Sequence, residues 1–117
     1  MQASEKAVVL YITTKDRNVN YELLGDQNIK TLAAGLTLTS GGGTINESID
    51  SAQTYTIIVT FAEYAIVQAA VDLLVDYIYE KLRTKAETTL KVGQASVRID
   101  KGEIRNVILH DLELTQK

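Results

Sequence analysis

Residues 55–83 read YTIIVTFAEYAIVQAAVDLLVDYIYEKLR, and this stretch decides the fold class. The residues from Tyr55 to Val59 are β-branched or aromatic, which predicts a strand. From Phe61 to Arg83 the sequence has no Gly or Pro, and the frequent Ala, Leu and Glu favour a helix. Thr60 and Glu63 have the spacing of a capping box, so we predict one long helix that begins here and extends for roughly 34 Å.

The predicted long helix is apolar over most of its circumference. Its polar residues form one narrow stripe with a spacing of four, namely Gln68, Asp72, Asp76 and Glu80. Such a helix must be covered on several sides, and a small sheet covers only one of them. We therefore predict an α+β fold in which a small mixed or antiparallel sheet packs on one long amphipathic helix. Further helices or a second protomer are expected to cover the remainder.

The C-terminal part predicts a β-hairpin followed by a short helix. Thr88–Val92 and Ala95–Ile99 have strand composition and are separated by a two-residue turn that contains glycine. Asp100 and Glu103 form another capping box, which predicts a helix start. The alternative is that Lys-Gly at the next positions is itself a turn and that residues 103–114 are a strand.

The N-terminal half permits two interpretations. Ala7–Thr13 predicts a strand, and Val19–Leu24 is expected to pair with it. Residues 26–35 predict a short helix that ends at a glycine, and Leu36–Thr39 a brief strand. Thr44-x-x-Glu47 has the spacing of a third capping box. The competing interpretation of this half is a β-meander.

Composition limits the class of protein. The chain has 117 residues, of which 45% are hydrophobic and 23% charged, so we expect a single globular domain over residues 1–117. There is no cysteine, which excludes disulfides, cysteine-bound zinc and thiol catalysis. The most apolar stretch carries too many acids for a membrane span. We expect a cytoplasmic protein with no cofactor and no membrane partner.

Charge is unevenly distributed along the chain. Residues 1–80 contain four Lys/Arg and ten Asp/Glu, a net charge of −6, whereas residues 81–105 contain seven Lys/Arg and three Asp/Glu, a net charge of +4. The basic segment lacks aromatic residues for base stacking, so nucleic-acid binding is only the third hypothesis. Its candidate contacts are Lys81, Arg83, Lys85, Lys91 and Arg98. The same segment matches the acidic half of a second copy in charge, which favours self-association.

A glycine run supplies the second hypothesis. Gly41, Gly42 and Gly43, followed by Thr44, lie between a predicted strand and a predicted helix start. Backbone amides in such a loop can bind phosphate. The run lacks the lysine of a P-loop and the spacing of a dinucleotide-binding motif, so a plain connecting loop is the simpler interpretation. The alternative function is therefore a small anionic-ligand-binding protein.

The acidic stripe of the long helix is the leading candidate for partner contact. Asp72, Asp76 and Glu80 repel each other on one face, and a basic partner surface would relieve this repulsion. Tyr77 and Tyr79 lie near the same helix end and suit an interface. Successive acids lie roughly 6 Å apart along the axis with no histidine beside them, so we expect no metal site.

Catalysis has no support in the residue inventory. His110 is the single histidine, and its neighbour Asp111 points in another direction on a helix. We expect a non-catalytic interaction or regulatory module that self-associates through its long helix. Small acidic accessory proteins of bacteria or phages, such as inhibitors and adaptors, have a similar composition, which is an analogy only.

Overall fold

The computed structural model describes residues 5–44, 52–66 and 68–115. The elements along the chain are β1 (Glu5–Thr14), α1 (Val19–Leu24), β2 (Ile29–Ala33), β3 (Leu36–Thr44), β4 (Gln53–Ala62), a 3₁₀ turn (Glu63–Ala65), α2 (Gln68–Leu82), β5 (Thr89–Val92), β6 (Ala95–Val97) and α3 (Lys101–Thr115). The prediction of an α+β fold is confirmed.

A six-stranded antiparallel sheet dominates the architecture. The strand order is β2-β3-β4-β1-β5-β6, so the two ten-residue strands β1 and β4 lie side by side at the centre. Along β1, Val8, Leu10 and Ile12 are fully buried, and the residues between them are only half-buried or exposed. The helices therefore cover one face of the sheet, where they complete a single hydrophobic core. The sheet, with six strands, is larger than the small sheet that the sequence predicted, and it dominates the fold in place of one long helix.

The prediction of a helix that begins at Phe61 is wrong. Strand β4 continues through Thr60 and Phe61 to Ala62, and α2 begins only at Gln68. The capping-box spacing of Thr60 and Glu63 is therefore coincidental. Phe61 is fully buried on the same face as Ile57 and Val59, as period-two alternation requires. A short apolar run fits strand and helix patterns equally well, and pairing with β1 and β3 decides between them.

The N-terminal half follows the competing interpretation, because β2, β3 and β4 form an antiparallel meander. The predicted helix over residues 26–35 is wrong, and so is the predicted strand Val19–Leu24, which forms α1. Val19, Leu23 and Leu24 are buried together, which is the spacing of one helix face. The capping box at Thr44 includes Glu47, which lies outside the described residues.

The C-terminal part ends in a helix as long as α2. Strands β5 and β6 pair antiparallel, with Val92 opposite Ala95, and Gly93 adopts a φ of 60° at the turn. The Asp100 carboxylate then accepts a hydrogen bond of 3.0 Å from the Glu103 amide, which confirms the predicted N-cap. The reciprocal half of the predicted box is not formed, because the Asp100 amide donates to the Arg98 carbonyl and the Glu103 carboxylate pairs with the Arg98 guanidinium. Helix α3 has 15 residues, which corrects both the predicted short helix and the strand alternative for residues 103–114.

We expect Asp100→Ala to lower the free energy of unfolding by about 0.5–2 kcal/mol, because the Glu103 amide loses its acceptor. Urea denaturation followed by circular dichroism measures the change. Asp100→Asn is the matched control, since asparagine retains an acceptor oxygen at the same position and should cost much less. Equal losses in the two variants would contradict a capping role.

Candidate functional site

The acidic stripe of α2 is paired within the chain. Asp72 accepts a 2.7 Å hydrogen bond from the Arg105 guanidinium, and Asp76 lies 3.2 Å from the Lys101 ammonium. The Glu80 carboxylate lies 3.2 Å from the guanidinium of Arg83, three residues further along the chain. Two of the three acids predicted to meet a partner thus connect α2 to α3. The repulsion that motivated a basic partner is relieved by these internal cations.

The two tyrosines predicted to bind a partner also make internal contacts. The Tyr77 hydroxyl donates a 2.7 Å hydrogen bond to the Leu23 carbonyl at the end of α1, and burial raises the pKa of this phenol. The Tyr79 ring lies under the Lys101 ammonium at 5.2 Å. The large exposed apolar residue of α2 is Leu73, which is 42% exposed. Because α1, α3 and the sheet cover the rest of its apolar side, α2 offers little free apolar surface.

The glycine run lies inside strand β3, not in a loop before a helix. A bulge interrupts the pairing of β3 with β4 between Ser40 and Gly43, and Gly42 there has a φ of +100°, which favours glycine. A Cβ at Gly41 would stand 2.9 Å from the Thr56 methyl group, so glycine is needed for close packing. Thr44 pairs with Thr54 across the strands. These residues are part of the sheet, and they do not form the loop before a helix that was expected to bind phosphate.

The basic segment does not form one continuous cationic surface. The Lys81 ammonium lies 5.4 Å from the centre of the Tyr77 ring, and Arg83, Lys85 and Arg98 each pair with a carboxylate. Within the described part of the chain, Lys91 alone of the five candidate nucleic-acid contacts has neither kind of partner. Lys91 is exposed on β5, on the face of the sheet away from the helices.

Lys85 forms the most buried ionic contact among the described residues, although its position in the basic segment suggested a nucleic-acid contact. Its side chain is 8% exposed, and its ammonium lies 2.6 Å from the Asp16 carboxylate and 2.9 Å from that of Glu22. The hydrogen bond from Lys85, aided by the Asn18 amide, lowers the pKa of Asp16. Burial by itself would lower the pKa of Lys85, but the two carboxylates outweigh it and raise that pKa.

The single histidine, a possible metal site and a possible membrane span were also considered in the sequence. His110 is exposed near the end of α3, where it and Asp111 border a shallow depression of about 450 Å³. No group of three or more metal-ligating side chains occurs among the described residues. None of the helices that the structure describes has the length and hydropathy needed to cross a membrane.

No described helix covers the face of the sheet opposite α1, α2 and α3, and we call this the open face. It consists of alternate residues of the six strands: Ile29, Thr31, Thr37, Thr39, Thr54, Thr56, Ile58, Thr60, Ala62, Glu5, Ala7, Val9, Tyr11, Thr13, Thr89, Lys91 and Ser96. Threonine predominates, Val9 lies opposite Ile58 at the centre, and the Thr13 and Thr54 hydroxyls bond each other at 2.9 Å. Glu5, at the first position of β1, and Lys91 are the charged residues in this set. The period-two alternation of residues 54–60 is the sequence signal that could have revealed this face.

No protein-family model, curated protein or solved structure matches this chain. The open face and the pairing of the charged side chains are therefore the observations that bear on function. Five interstrand spacings of about 4.8 Å, combined with a ten-residue strand, give the open face a projected area of at most about 800 Å². A standard protein interface buries about 800 Å² on each partner.

Proposed function

We propose that this protein is a non-catalytic interaction module that self-associates by packing the open face of its sheet against that of a second copy. The observation that carries the proposal is the scarcity of charge on this face, where Glu5 at the first position of β1 and Lys91 on β5 are the charged strand residues among hydroxyl and aliphatic side chains. Depletion of charge distinguishes the centre of an interface from ordinary surface. A solvated sheet face has no need to keep its centre, around Val9 and Ile58, free of Lys and Glu.

The other surfaces of the molecule favour this assignment. The acids of α2 already have internal partners, which removes the reason to place self-association on that helix. The sheet edges discourage the addition of another strand, because β6 has three residues and β2 contains Lys30 and an irregularity after Thr31. Face-to-face packing of two sheets about 10 Å apart remains as the favoured geometry.

Sedimentation velocity over a wide concentration range tests the proposal with the variant Thr60→Arg. Thr60 lies on a central strand between Ala7 and Thr37, so an arginine has room in the monomer. In the dimer its charge would be buried, at a cost that the diagonal Glu5 carboxylate offsets only in part. We expect the wild type to form a dimer and Thr60→Arg to weaken dimerisation at least about tenfold.

Leu73→Arg is the matched control, because it places the same charge on the exposed side of α2. We expect this variant to dimerise like the wild type. Dissociation by Leu73→Arg but not by Thr60→Arg would move the interface to the helix and refute the proposal. A wild type that remains monomeric at the highest concentration would refute self-association altogether. Circular dichroism of both variants establishes that they are folded.

A further inference from the structure

A depression of about 470 Å³ lies at one end of the open face, where β1, β4 and β5 adjoin. Its lining residues are Tyr11, Thr13, Thr54, Lys91, Gly93 and Gln94. None of these carries a carboxylate. By contrast, the depression between α2 and α3 contains Asp72 and Asp76, and the one beside β6 contains Glu103. The depression on the open face thus differs from these in combining a cation with neutral donors.

The donors of this depression are available to a ligand. Within the described residues, the Lys91 ammonium, the Tyr11 hydroxyl and the side-chain carboxamide of Gln94 have no hydrogen-bond partner. The Thr13 and Thr54 hydroxyls bond each other at 2.9 Å, which uses one of their two protons and leaves the other. The Gly93 amide is already used, because it donates to the Val9 carbonyl at 2.8 Å.

The backbone holds these groups together. Tyr11 lies directly opposite Lys91, and Thr13 lies directly opposite Thr54, so neighbouring strands present the four side chains on one face. The nearby carboxylate of Asp111 belongs to α3 and therefore approaches Gly93 from the covered side of the sheet. The cation and the hydroxyls consequently face solvent on the side away from that acid.

We infer that this depression binds a small anion through a carboxylate or phosphate group. The Lys91 ammonium is its counter-ion, and the hydroxyls of Tyr11 and of the Thr13–Thr54 pair are its hydrogen-bond donors. Charge-assisted hydrogen bonds of this kind are stronger than neutral ones, and a lysine ammonium commonly binds phosphate as a point charge. The inference does not depend on self-association, although the site lies on the same face.

Amide NMR spectra of the full chain, recorded during titration with inorganic phosphate or with acetate at constant ionic strength, test this site. The Thr60→Arg background keeps the protein monomeric, so that failure of the site and failure of self-association are separate results. We expect saturable shifts at Gly93, Gln94 and Thr13. Lys91→Gln should weaken binding by about tenfold or more, because it removes the counter-ion.

Lys30→Gln is the matched control, since Lys30 is an exposed lysine of β2 at the far edge of the sheet. This variant should bind like its parent. Saturation with acetate alone identifies a carboxylate ligand, and saturation with phosphate alone identifies a phosphate group; saturation with both indicates a general site for small anions. Shifts that stay linear with both anions, or binding that Lys91→Gln leaves unchanged, would overturn the inference.

Discussion

Replacement of Phe61 by alanine is expected to lower the free energy of unfolding by about 3–5 kcal/mol, because it removes a fully buried aromatic ring from the core. Phe61 lies near the end of β4, opposite Leu36 of β3 and Lys6 of β1. The strands on both sides restrain the backbone, so the core cannot collapse fully into the space left by the ring. Urea unfolding monitored by circular dichroism measures this loss.

Thr60→Ala is the control for this prediction, because Thr60 is the preceding residue and lies on the opposite face of the sheet. Its cost should be about 1 kcal/mol or less. A small effect at Phe61 together with a large effect at Thr60 would contradict the strand register. A helix that began at residue 61 would not produce this alternation between adjacent positions.

Replacement of Lys85 by methionine is expected to cost about 1–3 kcal/mol of stability. Methionine retains much of the apolar stem but removes an ammonium that binds the carboxylates of both Asp16 and Glu22. Loss of a fully buried ion pair would cost more, but these two carboxylates are a third or more exposed and remain partly hydrated. Thermal unfolding at neutral pH and moderate salt measures the difference.

Arg83→Met is the matched control, because the side chains of Arg83 and Glu80 are both about half exposed. We expect a loss of about 1 kcal/mol or less from this surface pair. Equal losses in the two variants would show that the ionic contact of Lys85 has no special role in joining the segment after α2 to α1.

The stabilisation by Lys85 also has a defined dependence on pH. The pKa of Asp16 is lowered in the fold, so its contribution is present above the ordinary carboxyl pKa and is lost as pH falls through the lowered value. The pKa of Lys85 is raised, so its contribution is present below the ordinary lysine pKa and is lost as pH rises through the raised value. The difference between wild type and Lys85→Met should therefore be largest between about pH 4 and pH 10.

The partners of the candidate site residues could not be predicted from the sequence. Asp72 and Asp76 form a conspicuous stripe, and repulsion along it suggested an external partner. Their actual partners, Arg105 and Lys101, lie 33 and 25 residues further along the chain, on another helix. The spacing of charges on one helix contains no information about which helix will pack beside it. The open face was overlooked for a related reason, because the strand that forms its centre was predicted to turn into a helix.

Local interactions are what the sequence by itself determined. Strand β1 follows from its run of β-branched and aromatic residues, and the start of α3 follows from the Asp100 carboxylate, which accepts a hydrogen bond from an amide three residues away. Together these local signals suffice for the α+β class. Only the tertiary structure decided that Phe61 belongs to strand β4, that Val19–Leu24 is helical and that Lys85 contacts Asp16. Each of these depends on partners that are distant in sequence, and the free energy of such contacts exceeds the small intrinsic preferences of the residues.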